Sequence, residues 1–194
     1  MSMLHQSYTI DNISIKNFID LDEVTLLNIL EWRNTEGIRK WMYRTDIIVK
    51  ENHISFCESL KYNDTMGYWL VFIGAKQVGV INLSKYDFIN QTGEFGFYLN
   101  PKYFMSGLGI DLFYIALDLF FSNFQLNSIN GFVKYANTSA MLMNDFFGLR
   151  HVKIIIIESE NYSERLITKD EWTFRDLKYS NINKSFIYFI NSRR

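Results

Sequence analysis

The chain has 194 residues, 48% of them hydrophobic, 21% charged and 17% aromatic, with a formal net charge of −1. That describes one globular domain, residues 1–194, large enough to bury a sizeable core and without the electrostatic footprint for nucleic acid or an anionic membrane. The single cysteine, Cys57, excludes an internal disulfide, and His5, His53 and His151 are too scattered for a metal motif.

No apolar run reaches transmembrane length, and the start, residues 1–6, lacks the charged and apolar regions of a signal peptide, so a soluble cytoplasmic protein is expected. Residues 8–18 alternate apolar and polar side chains and read as a half-buried first strand. From Asp22 to Trp32, the residues Val24, Leu26, Leu27, Leu30 and Trp32 recur at helical spacing, with Asp22 placed to cap. A turn is expected at Gly37. Beyond it, Trp41, Met42 and Tyr43 fit core packing, and Arg33 and Arg39 fit a solvated face, unless a site uses them. Residues 50–62 form a second amphipathic helix with Ile54, Phe56 and Leu60 among its apolar members, His53 in its first turn and Cys57 in its middle as a small buried hydrophobe.

Residues 67–73, 77–86 and 92–99 read as three antiparallel strands joined by turns at 74–77 and 87–91. The third strand is ended by the only proline, Pro101, and leads to a loop with Gly107 and Gly109 and then a long apolar helix over 109–123. Such a loop presents unpaired backbone N–H groups with the positive end of a helix dipole behind them, a seat for a phosphate. No Gly-Lys-Ser/Thr follows and no third glycine stands at dinucleotide spacing, so the pattern argues against both an ATPase and a dinucleotide enzyme.

Residues 128–134 are expected as a strand parallel to the one before the loop. Asn137 or Thr138 can cap a short helix ending at Gly148. Residues 150–158, with a buried β-branched run at 154–157, read as a strand whose antiparallel partner is 171–177, with polar loop over 159–170 between them. A terminal helix over 180–191 and a solvated end at Arg193 and Arg194 complete the chain. Phe113 and Tyr114 suit either a homodimer face or the core.

The loop Phe104-Met105-Ser106-Gly107-Leu108-Gly109 resembles the acyl-CoA pyrophosphate loop of the GNAT N-acetyltransferases, Arg/Gln-x-x-Gly-x-Gly/Ala, in its glycines but not in its first position. Asn137-x-x-Ala140 followed by Gly148-Leu149 is similar to the family segment Asn-x-x-Ala-x-x-x-Tyr-x-x-x-Gly-Phe, with Asn144 where the family carries the tyrosine. The element order resembles the GNAT fold, an α/β (α+β) mixed, mostly antiparallel sheet with a central strand-loop-helix-strand site. Glu31-Trp-Arg-Asn34, Trp41-Met-Tyr43, His53 with Phe56, Gly79-Val80 and Gly96-Phe-Tyr98-Leu-Asn-Pro101 resemble one branch more closely, the N-acetyltransferases of pseudaminic acid biosynthesis. The resemblance runs from about Leu27 to Phe174.

That resemblance implies acetyl-CoA as co-substrate, no metal, and acetylation of the 4-amino group of a UDP-linked 4-amino-4,6-dideoxy sugar by direct amine attack. The N–H groups of Phe104 to Gly109 would hold the pyrophosphate, with Asn137 and Ala140 beside it, and a backbone N–H near Tyr98 or Leu99 would face the thioester carbonyl oxygen. Glu94, on the same side of its strand as Tyr98, either takes the amine proton through a water or is a solvated carboxylate. His53 is another candidate base, although by resemblance Arg33 and His53 contact the nucleotide diphosphate, with Met42, Tyr43, Phe56 and Asn82 on the base or sugar. Asn144 can donate a hydrogen bond to sulfur but has no proton to give, which leaves water, or Tyr135 as a substitute donor, to protonate the leaving thiolate. Another acceptor amine, or a non-catalytic acyl-CoA or nucleotide-binding module, stays open.

Overall fold

The computed structural model describes residues 2–193; Met1 and Arg194, of the expected start and solvated end, lie outside the described residues. The first segment is a hairpin rather than one strand, β1 (Tyr8–Ile10) and β2 (Ile13–Asn17). The chain reverses at Asp11, whose φ of +51° is a left-handed conformation that a short polar side chain tolerates. Helix α1 (Glu23–Asn34) starts where Asp22 accepts a hydrogen bond from the Thr25 amide at 2.8 Å. Gly37 lies inside a short helix, α2 (Glu36–Arg39), instead of a turn. The Phe104 ring explains the glycine, because an added Cβ would stand 3.0 Å from its edge. Helix α3 (Lys50–Ser59) continues as a 3₁₀ turn, Leu60–Tyr62.

Strands β3 (Gly67–Ile73), β4 (Lys76–Asp87) and β5 (Thr92–Leu99) form the expected meander. Helix α4 (Leu108–Asp118) runs on into a π-helical turn, Leu119–Asn123, and crosses over to β6 (Ser128–Lys134). Helix α5 (Thr138–Phe147) is capped by Asn137 and stopped by Gly148 at φ +87°.

The next strand, β7 (Arg150–Ile157), pairs with β8 (Glu160–Thr168), the stretch expected to be loop. The expected partner, 171–177, instead lies mostly in α6 (Lys169–Phe174), which Thr168 and Glu171 start with a reciprocal capping box. The isoleucine run of β7 is not buried: Ile154 and Ile156 are 52% and 72% exposed, because β7 is the sheet's edge. The chain ends in α7 (Ile182–Asn191), and Arg193 is ion-paired to Asp145 at 3.0 Å.

The eight strands of the described residues make one sheet in the order β1-β2-β3-β4-β5-β6-β8-β7, antiparallel except for β5 with β6. One face carries α4 and α5 over a core of Trp69, Phe113, Phe120, Phe124 and Phe147. The other carries α1 and α3 over Phe18, Leu26, Ile29, Cys57, Leu70 and Val80. Strand alternation puts adjacent residues such as Trp69 and Leu70 into opposite cores. Phe113 is fully buried, and Tyr114 packs on Trp172 and Tyr179 with its hydroxyl donated to the Leu177 carbonyl, so both belong to the core.

Candidate active site

The parallel pair β5–β6 holds only from Thr92–Ser128 to Glu94–Asn130, and beyond it the two strands part. Each keeps its other neighbour: β5 stays on β4 to Leu99 and β6 stays on β8 to Lys134. The result is a fork with backbone polar groups along its inner edges. The Asn100 amide donates to Val78 O on β4 at 2.8 Å. By the two-residue alternation of strand hydrogen bonding, the Tyr98 amide then also points to β4, and those of Phe97 and Leu99 point into the fork. Of the two expected backbone donors, the Leu99 amide points into the fork and the Tyr98 amide points to β4.

At the mouth of the fork the Asn100 side chain caps a 3₁₀ turn, Pro101–Tyr103, accepting from the Lys102 amide at 3.0 Å. The loop then passes through Met105 and Gly107, at φ +61° and +86°. Three of its amides are used internally, Phe104 to Pro101 O, Ser106 to Tyr103 O and Leu108 to Ser106 Oγ. The amides of Met105, Gly107 and Gly109 have no partner among the described residues. Nothing lies within 4 Å of where a Gly109 Cβ would be, so the first turn of α4 has open space beside it. Three free amides at a helix N-terminus suit a diphosphate. The Phe104 ring is turned away onto Gly37.

Beside the fork, Asn137 Oδ1 accepts from the Ala140 amide at 3.1 Å, so its side chain starts α5. Asn144 is buried and donates Nδ2–H to the Ala140 carbonyl at 2.7 Å, turned back onto its own helix. Tyr135 is half exposed just past the end of β6.

On the α1 face of the sheet, register lines up Tyr68, Asn82 and Gly96 across β3, β4 and β5. Gly96 leaves room for the Asn82 amide, whose Oδ1 would stand 2.6 Å from an added Cβ. Glu94 is next on that face of β5, and it is 7% exposed rather than a solvated carboxylate. The Tyr43 hydroxyl donates to its Oε1 at 3.0 Å and the Lys85 ammonium to its Oε2 at 2.8 Å. Lys85 reaches it from an irregularity in the β4–β5 pairing between Ser84 and Asp87, with φ +51°. The Tyr43 ring packs against Tyr162 and Phe132, so the expected core residue is a wall of this face. Burial holds the Tyr43, Tyr68 and Tyr98 phenols above their ordinary pKa, and for Tyr43 the Glu94 charge adds to it. All three therefore stay neutral donors at physiological pH.

Arg33 is not on a solvated face either. Its Nη2 donates to the Arg44 carbonyl at 3.0 Å, while Nη1 is buried with no partner among the described residues. The Tyr98 and Tyr68 hydroxyls lie close enough to interact with it electrostatically. A buried guanidinium nitrogen without a partner calls for an acceptor from elsewhere. Arg39 anchors the same loop through the Thr45 carbonyl. Met42 contributes its carbonyl to the Tyr162 hydroxyl at 3.5 Å, and Phe56 packs edge-on behind Tyr68.

His53 does not join them. It is 6% exposed, with Nε2 2.9 Å from the Leu26 carbonyl and burial lowering its pKa, a satisfied residue of the α1–α3 core. Cys57 lies beside it, its thiol pushed up to about 12 by burial, which leaves no thiolate to act as nucleophile. Tyr68, Lys85 and Tyr162 were not visible as site residues in the sequence. The alternation of 67–73 could have put Tyr68 on the face of Asn82, but Lys85 depends on a pairing irregularity that no periodicity shows.

Among the described residues no group of three His, Cys, Asp or Glu could hold a metal, and no helix is long and apolar enough to cross a membrane. Residues 18–143 match the family described as Acetyltransferase (GNAT) domain. The acetyltransferase PseH of Campylobacter jejuni is 32% identical over 132 residues, which span 66% of this chain and 79% of that protein. The crystal structure of Campylobacter jejuni N-acetyltransferase PseH in complex with acetyl coenzyme A superposes with a TM-score of 0.64 at 22% identity, over 80% of this chain and 98% of the other. The spermidine N-acetyltransferase of Vibrio cholerae, in complex with CoA and spermine, superposes with a TM-score of 0.76 at 15% identity, over 84% and 99%.

Proposed function

The chain belongs to the GNAT acetyltransferase family, and from that premise we propose that it moves the acetyl group of acetyl-CoA to the 4-amino group of a UDP-linked 4-amino-4,6-dideoxy sugar, the pseudaminic acid type of acceptor. The observation that carries the acceptor assignment is Arg33, whose buried Nη1 lacks a partner beside Tyr68 and Tyr98. Lys85 is ion-paired to Glu94 at 2.8 Å, and Arg33 has no carboxylate partner among the described residues. Such a balance attracts a diphosphate and disfavours a polyamine. The 32% identity to a PseH acetyltransferase supports the same class.

Each residue then has a role. The free amides of Met105, Gly107 and Gly109 hold the pyrophosphate, and the inner edge of β5 hydrogen-bonds the pantetheine arm. The Leu99 N–H faces the thioester carbonyl oxygen, a donor of a kind that contributes roughly 10²–10³ in rate. Glu94, held at both oxygens, takes the proton the amine loses as the new C–N bond forms. When the C–S bond breaks, the CoA thiolate is a tolerable leaving group that takes its proton from water or Tyr135. Arg33 receives the acceptor's diphosphate; Asn82, Tyr43 and Met42 line the sugar.

The experiment is mass spectrometry of a reaction holding the purified protein, acetyl-CoA and the UDP-linked amino sugar, with spermidine as competing amine and free CoA followed in parallel. A gain of one acetyl group on the sugar nucleotide is expected. Acetylation of spermidine alone would overturn the acceptor assignment. CoA binding without any product would make the protein a binding module.

A further inference from the structure

Helix α7 begins well beyond Met143, where the family match ends, and it touches both helices that flank the fork. Phe186 and Phe189 pack on Phe146 of α5 at 5.1 and 5.4 Å. Arg193 shares Asp145 with the buried Arg165. At the other end of α7, Asn183 Nδ2 donates to both Asp111 oxygens, at 3.1 and 3.0 Å, and Asn183 Oδ1 would stand 3.0 Å from a Cβ on Gly107. Asp111 is thus a carboxylate in the first turn of α4, separated from Gly107 by one side-chain amide. Burial raises its pKa.

A carboxylate there conflicts with an anion seat. The free amides and the helix dipole draw a diphosphate to Gly107, and a negative charge turned toward the same point repels it. We propose that Asn183 is a positioning residue of the acetyl-CoA site, which keeps the Asp111 charge off the diphosphate by binding both its oxygens on the α7 side while its own carbonyl packs against Gly107. This rests on the reading of the Gly107 loop as the diphosphate seat. It makes the C-terminal helix a working part of the cofactor site.

The test is calorimetric binding of acetyl-CoA to the 194-residue chain and to its Asn183→Ala, Asp111→Asn and doubly substituted variants, with S-acetylpantetheine, which lacks the diphosphate, as the paired ligand. Asn183→Ala is expected to weaken acetyl-CoA binding by about tenfold, within the range of a charge at a helix terminus. The double variant recovers most of that loss, and S-acetylpantetheine binds all four proteins alike. If the alanine variant folds poorly, Asn183→Ser takes its place. Unchanged acetyl-CoA binding in the alanine variant would overturn the proposal. So would a double variant no better than the single one, because a merely structural role is not rescued by removing a charge. Wild-type protein binding acetyl-CoA no more tightly than S-acetylpantetheine would refute the diphosphate seat itself, and the role of Asn183 with it.

Discussion

Replacing Glu94 by glutamine separates chemistry from packing. Glutamine is the same size and still offers Tyr43 an oxygen acceptor, so the 3.0 Å hydrogen bond survives. What disappears is the ion pair with Lys85, whose side chain is 76% exposed while that of Glu94 is 9% exposed. With one partner in solvent, that pair is worth at most about 1 kcal/mol. For a chain of this size the melting temperature should fall by no more than about 2–4 °C. Loss of a general base lowers turnover by about 10²–10⁴, equivalent to roughly 3–5 kcal/mol of barrier. Thiol release measured against both substrates, beside a thermal melt, gives the two numbers from one preparation. Tyr43→Phe is the control: it frees one carboxylate oxygen but leaves the base, and costs turnover only about tenfold. The role of Glu94 as proton acceptor is refuted if E94Q keeps kcat within about threefold of wild type while melting in the expected range.

Other perturbations divide the site in the same way. Gly109→Ala should leave the fold as stable, or about 0.5–1 kcal/mol more so, because the added methyl meets open space in a helix; the KM for acetyl-CoA rises, and an unchanged KM would move the pyrophosphate elsewhere. Arg33→Ala is expected to raise the KM of the sugar nucleotide by about tenfold or more and leave that of acetyl-CoA alone, with Arg33→Lys a poor rescue because a planar fork is lost; equal changes for both substrates would argue for loop anchoring through Arg44 alone. Burial lowers the His53 pKa, so the folded chain takes this proton less readily than the unfolded one. The resulting stability is full above the unfolded value near 6.5 and is lost as pH falls below it. Melting temperatures of His53→Gln between pH 5 and 8 should show a shallower acid slope than wild type, and parallel curves would contradict the assignment.

The meander and the glycine loop were legible because period and punctuation agree there: Gly67–Ile73 and Thr92–Leu99 alternate between two cores, and Pro101 and Gly107 mark where pairing stops. The last hairpin inverted those signals. Its most apolar strand, β7, is the exposed edge, and its polar strand, β8, lies inside the sheet. The buried Ser163 and Arg165 are met by His151 and Asp145 at 2.7 and 2.8 Å. Those partners come from other elements, which a periodicity count does not see. The turn between the strands, Glu158 and Ser159 at φ +49° and +67°, carries no glycine or asparagine to announce it.

For the site, the sequence showed residue types while register supplied the grouping. Arg33, Tyr43 and Glu94 were recognisable singly, but only the pairing of Tyr68 with Asn82, and of Asn82 with Gly96, makes one face of them. That face and the fork meet at β5 from different directions. The Leu99 amide points along the plane of the sheet into the fork, whereas Glu94 and Tyr98 project from it toward α1. A thioester in the fork and an amine over Glu94 therefore approach β5 edge-on and face-on, without competing for space. On the proposed function both substrates are held at once, and no acyl group waits on the protein. The one thiol, Cys57, is buried in the α1–α3 core, its pKa pushed up to about 12. The proposed reaction then draws on proximity rather than on a covalent intermediate.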